Sequence, residues 1–160
     1  MNAQWHYNHS LDLLNGNKHE KNIEESFKHN EIAAKDGHHD ATLAMGWYYL
    51  NGYGIKQDVS TAIKWYKKSA RQKEPKAMFS LGQIAYFDKD YATAHKWFEA
   101  AKNHGHIRSI YWIGKLYWRG HGVNKDKELA EKYFQNAANK KYKIAQRIIG
   151  KIKNTAQQAD

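Results

Sequence analysis

Residues 41–70, ATLAMGWYYLNGYGIKQDVSTAIKWYKKSA, decide the fold, because nearly the same pattern returns at 109–138 as SIYWIGKLYWRGHGVNKDKELAEKYFQNAA. Each stretch holds a small residue, Gly46 or Gly114, in an apolar helical pattern. A glycine loop follows, Gly52-Tyr53-Gly54 or Gly120-His121-Gly122, then an aspartate, Asp58 or Asp126, and a second apolar pattern with the pair Trp65-Tyr66 or Tyr133-Phe134. A returning pattern of this length is the mark of a repeat architecture, in which one helical pair cannot bury its apolar face without a neighbour.

Outward from these two stretches the register extends over most of the chain. Ser10, Gly46, Gly82, Gly114 and Gly150 are spaced by 36, 36, 32 and 36 residues. Asn22, Asp58, Asp90 and Asp126 follow with steps of 36, 32 and 36. Standing before an apolar pattern, they read as helix N-caps whose side-chain oxygens accept bonds from the unpaired N–H groups of the first turn. Ser26, Ala62, Ala94 and Ala130 lie four residues beyond the caps, and Trp5, Ala41, Ala77, Ser109 and Ala145 mark an early close approach of helices, with Trp5 the exception. Trp97-Phe98 continues the aromatic pair, whereas the first unit has His29-Asn30 there.

Each unit therefore reads as helix A, loop, helix B. The loops Leu50–Ile55 and Trp118–Val123 carry two glycines suited to a positive-φ turn, Leu14–His19 keeps one, and Phe87-Asp88-Lys89-Asp90 takes up the four-residue deletion. With one proline, Pro75, and long runs of Ala, Lys and Glu, the fold class is all-α.

The stretch 41–70 resembles one complete Sel-one-like repeat, a family related to tetratricopeptide repeats, and 109–138 is similarly good. The third unit has lost the glycine loop and looks closer to a tetratricopeptide repeat. The first matches in spacing, Asn22 and Gly37. This resemblance implies a right-handed α-solenoid of antiparallel helix pairs. It would form a single domain over 1–160, with units at about 5–40, 41–76, 77–108 and 109–144 and a capping helix at 145–153.

The resemblance further implies a non-catalytic module that binds a partner protein, as an adaptor or as a specific immunity protein for a toxin. In tetratricopeptide relatives the A helices line the concave side. Carried over by register, this selects Tyr7, Leu11 and Leu14; Leu43, Trp47 and Leu50; Phe79, Gln83 and Tyr86; Tyr111, Lys115 and Trp118; and Arg147 and Lys151. One turn further back stand Asp40, Lys76 and Arg108, so the row is aromatic and turns basic toward its C-terminal half. Met45, Tyr49, Ala62, Tyr66, Leu81, Ile113 and Tyr117 fall on the inter-helix side as packing residues.

Charge points the same way: 26 Lys and Arg stand against 16 Asp and Glu, a formal net charge of +10, which favours encounter with an acidic partner surface. A basic chain with interleaved aromatics also suits nucleic acid. Against that reading, Lys67-Lys68, Lys125, Lys127, Lys132, Lys140-Lys141 and Lys143 fall on helix B or at junctions, where a solvated face is the ordinary use of charge. The absence of Cys removes disulfide and thiolate chemistry. Residues 1–10 lack a signal-peptide pattern and no long apolar run spans a membrane, so a cytoplasmic, bacterial-type protein is expected.

Enzyme chemistry finds no foothold. No HExxH, nucleophile elbow, Walker loop or Rossmann fingerprint occurs, and Gly52-Tyr53-Gly54 and Gly120-His121-Gly122 lie between helices. The ten His include His6/His9, His38-His39 and His104-Gly105-His106, which lack a thiolate or clustered carboxylates. No metal, cofactor or small-molecule substrate is expected.

Overall fold

The computed structural model describes the backbone of residues 1–157 and the side chains of 1–154; the expected domain limit at 160 lies outside the described residues. In chain order the helices are α1 (Ala3–Asn15), α2 (Ile23–Lys35), α3 (His39–Asn51), α4 (Val59–Arg71), α5 (Pro75–Phe87), α6 (Tyr91–Asn103), α7 (Ile107–Arg119), α8 (Lys127–Asn139) and α9 (Lys143–Gln157), with no strand among the described residues. Odd-numbered helices are the A helices and even-numbered ones the B helices of an all-α repeat solenoid. Two compact units form, Met1–Ala77 and Met78–Asp160.

The caps fall where the spacing placed them. Asn22, Asp58, Asp90 and Asp126 accept from the backbone N–H groups of Glu25, Thr61, Thr93 and Leu129. Hydrogen bonds from the Thr61 hydroxyl and N–H hold the Asp58 carboxyl below its ordinary value, and Thr93 does the same to Asp90.

The small-residue series has a steric cause. A Cβ at Gly46 would lie 2.5 Å from the ring of Tyr66, one at Gly82 2.5 Å from Phe98, and one at Gly114 2.8 Å from Phe134. Each B-helix ring is thus seated directly on A-helix backbone, beside the fully buried Ala62, Ala94 or Ala130.

The first unit solves the same packing problem with polar groups. Ser26 Oγ donates to the Ser10 carbonyl at 2.7 Å and meets the Tyr48 hydroxyl at 2.6 Å, and buried Asn30 donates from Nδ2 to the Ala41 carbonyl at 3.0 Å. His29-Asn30 therefore replaces the aromatic pair without leaving the repeat.

In the long loops the second glycine does two jobs. Gly54 (φ 69) and Gly122 (φ 71) adopt the left-handed region. Their missing side chains also leave room for backbone: a Cβ would lie 2.6 Å from the Ile23 carbonyl oxygen at Gly54, and 2.8 Å from the Tyr91 carbonyl carbon at Gly122. The loop of one repeat is thereby pinned to the start of the preceding B helix. Between α5 and α6 the shortened turn dispenses with glycine, and Lys89 takes the left-handed conformation (φ 63) while its N–H donates to the Tyr86 carbonyl.

Candidate partner-binding surface

In the unit Met1–Ala77 the selected A-helix residues show mixed exposure. Trp47 is 39% exposed, with its ring 4.9 Å from that of Tyr53. Tyr7, Leu11, Leu14, Leu43 and Leu50 are half-buried, and Asp40 and Lys76 are exposed. Tyr7 stacks on His38 at 4.3 Å, and burial, followed by the Asp40 carboxylate, pushes its hydroxyl pKa up. His38 Nδ1 accepts the Ala41 N–H at the start of α3, which leaves Nε2–H to donate to Gln4 Oε1 at 3.0 Å.

In the unit Met78–Asp160 the row becomes an aromatic bed under a cation. Lys115 Nζ lies 4.3 Å from the centre of the Trp112 ring and 4.9 Å from that of Tyr86. Partial burial, then the neighbouring Arg119 charge, lowers the Lys115 pKa. Tyr111 is half-buried and its hydroxyl pKa is raised, first by burial and then by Tyr142. Trp118 is half-buried beneath Lys127, whose Nζ lies 5.4 Å from its ring, while Arg108, Arg147 and Lys151 are exposed and Gln83 is half-buried.

Two selected residues lie deeper than a contact surface requires. Phe79 and Tyr86 are only 6% and 8% exposed. Phe79 packs on Phe98 and His106 and Tyr86 on Trp112, so they floor the row while their neighbours supply its surface. His106 is consequently half-buried.

The register missed Trp112, the centre of this bed, which contacts Phe79, Tyr86, Phe87, Phe98 and Tyr111. Its position holds Asn8, Ala44, Ser80 and Ile148 in the other units, so the repeat gave no precedent; a lone aromatic in an otherwise non-aromatic column was the available signal. Phe87, 71% exposed beside Trp112, was read as part of a turn.

The histidines depart from expectation as well. His6, His9 and His29, scattered in sequence, come together around Trp5, and His19 joins them through His9: His6 Nδ1 lies 2.9 Å from His29 Nδ1, and His9 rests against both His19 and His29. Burial, followed by His9 and His6, lowers the His29 pKa, partly opposed by Glu25. Among the described residues no group of three His, Cys, Asp or Glu is arranged to hold a metal ion. Nor is any helix there long and apolar enough to cross a membrane.

Ring-on-glycine helix pairs, capped by Asn or Asp and carrying an aromatic and basic A-helix row, define a repeat protein built for macromolecular contact. The family model for the Sel1 repeat matches residues 6–38, 39–74, 75–106 and 107–142, and the chain belongs to the Sel1 repeat family. A Sel1 repeat protein from Oxalobacter formigenes superposes with a TM-score of 0.88 at 30% identity, over 94% of this chain and 63% of that one. The immunity protein Pa5087 from Pseudomonas aeruginosa shares the fold at 22% identity and a TM-score of 0.62, over 89% of this chain and 55% of that one. The chitin synthase regulator SKT5 of Saccharomyces cerevisiae is 30% identical over 129 residues, 76% of this chain and 18% of its own length. This chain thus spans less than two thirds of each of these relatives. Sel1 repeat proteins bind other proteins, and the repeat is generally a non-catalytic interaction module.

Proposed function

We propose that this chain is a non-catalytic binding protein that presents the A-helix residues of its units to a partner protein with an acidic surface. The observation that carries this reading is Lys115 held over Trp112 and Tyr86 in a unit that also exposes Arg108 and Arg147. Rigid aromatics with adjoining cations are the composition of binding hot spots. An amine already lying on rings has less freedom to lose on complex formation. Trp47 in the other unit supplies a second exposed aromatic anchor.

Within this reading the sharper role is neutralisation of one partner, as an immunity protein acts on its toxin. The shared fold with Pa5087 supports it. A general adaptor would instead engage several partners weakly, and a cytoplasmic site of action suits both.

The test is affinity capture from native lysate by the wild-type chain and by a variant with Lys76, Arg108, Lys115 and Arg147 all changed to Glu. Wild type should retain an acidic protein, at equal stoichiometry for the immunity role. The variant should lose it while circular dichroism reports unchanged helicity. Retention by the reversed variant would reject this surface, and salt-sensitive nucleic-acid binding in place of protein capture would redirect the function.

A further inference from the structure

The helices α1, α3 and α7 close on the polar residues Asn15, Asn51 and Arg119, whereas α5 closes on Phe87, which is 71% exposed. In the second unit the glycine loop brings Tyr53 to 4.9 Å from Trp47, and in the fourth it stacks His121 on Tyr91. The four-residue deletion leaves α5 without such a loop, and its last ring stays in the open. An isolated surface phenylalanine needs no explanation. This one is not isolated: its ring meets that of half-buried Trp112 edge to face at 6.2 Å, and Trp112 continues the surface to Lys115, whose Nζ lies 4.3 Å from the Trp112 ring.

The charges at this corner leave Lys115 in need of an anion. It forms no ion pair among the described residues, where Lys35 pairs with Glu31 and Lys102 with Glu99. The neighbouring charge that acts on it is Arg119, another cation one turn along α7, which adds to burial in lowering its pKa. Asp88, beside Phe87 in sequence, is exposed and has no such effect on Lys115. A carboxylate brought alongside would offset both the repulsion and the lost hydration, and would favour the charged amine.

We propose that this corner receives a segment of the partner in which Asp or Glu adjoins a bulky apolar side chain, the carboxylate pairing with Lys115 and the apolar group covering Phe87 and Trp112. The proposal rests on reading the A-helix residues as a partner surface, and it names the residue pair that the partner brings. Lys115 and the Phe98 ring, tilted by 32° at 5.5 Å, already pack on Trp112, so a nucleobase lacks the bare ring that stacking requires. The right-angle corner of Phe87 and Trp112 suits a side chain entering edge-on.

The probe is the peptide acetyl-Asp-Phe-Asp-amide, which offers a carboxylate on either side of one ring. It is titrated into the nitrogen-15-labelled full chain while the indole N–H signals of the six Trp are followed, Trp112→Phe identifying the signal of interest. That signal should shift saturably, with a dissociation constant of about 1 mM, the range open to so small a ligand. Acetyl-Asn-Phe-Asn-amide, acetyl-Asp-Ala-Asp-amide, Lys115→Gln and Phe87→Ala should each weaken binding about fivefold or more, and so should added salt. Because Phe87 is exposed, Phe87→Ala should keep the circular dichroism of wild type. An unmoved Trp112 signal, equal binding of the Asn peptide, or unchanged binding by Phe87→Ala overturns the proposal. So does single-stranded tetrathymidylate moving that signal at lower concentration than the peptide. Capture of an acidic protein by wild type and Phe87→Ala alike, with Trp112 unmoved by the peptide, sinks this corner and leaves the partner surface standing. Failure of capture with peptide binding intact sinks the partner reading and leaves the corner's ligand chemistry standing.

Discussion

Tyr66, Phe98 and Phe134 rest on glycine because a ring and a Cβ cannot share that space, and this makes single residues unusually informative. Gly46→Ala and Gly114→Ala should each destabilise the chain by about 1–3 kcal/mol in urea unfolding, the usual cost of overpacking. Gly150→Ala, with open space above it, should stabilise by about 1 kcal/mol through helix propensity alone. His29 gives a second prediction. Its pKa lies below the ordinary 6.5 because burial, then His9 and His6, disfavour the charged form. The unfolded chain therefore binds the proton more readily, so the stabilisation present above pH 6.5 is lost as pH falls toward the folded value. Thermal melts should show a drop in stability between neutral pH and pH about 5 that His29→Asn reduces. An unchanged drop would place the acid sensitivity elsewhere.

Helices and turns were the most legible level. The Asn and Asp series located four B-helix starts, because a cap must stand at a fixed distance from the first turn it satisfies. Asp126→Ala should lower stability by about 1 kcal/mol, read as a shift in the urea midpoint without a change in slope. Exposure along the A helices was harder to read. Register says which neighbour a position faces, but how much of it stays uncovered depends on the bulk of side chains from other helices. Phe79 and Tyr86 share register columns with half-buried Tyr111 and Trp118, and are buried where Phe98, His106 and Trp112 pack on them. The histidine group was invisible for the same reason: His6 and His29 meet only because α1 and α2 are antiparallel.

At the scale of the molecule, excess positive charge is concentrated toward the C-terminal end, so capture of an acidic partner should slow as salt rises, chiefly through the association rate. Surface plasmon resonance with the partner immobilised would show this; a salt-independent association rate would argue for an uncharged interface. The packing pattern reaches further. The most extensive helix contacts, such as α1 with α2, α2 with α3, α7 with α8 and α8 with α9, join helices successive along the chain. Few long loops must close before such contacts repay their entropy, so refolding after a denaturant jump should run in the microsecond-to-millisecond range typical of locally wired helical proteins. Because helix pairs nucleate without waiting for distant segments, a nascent chain can lock its first repeats while later ones are still being synthesised.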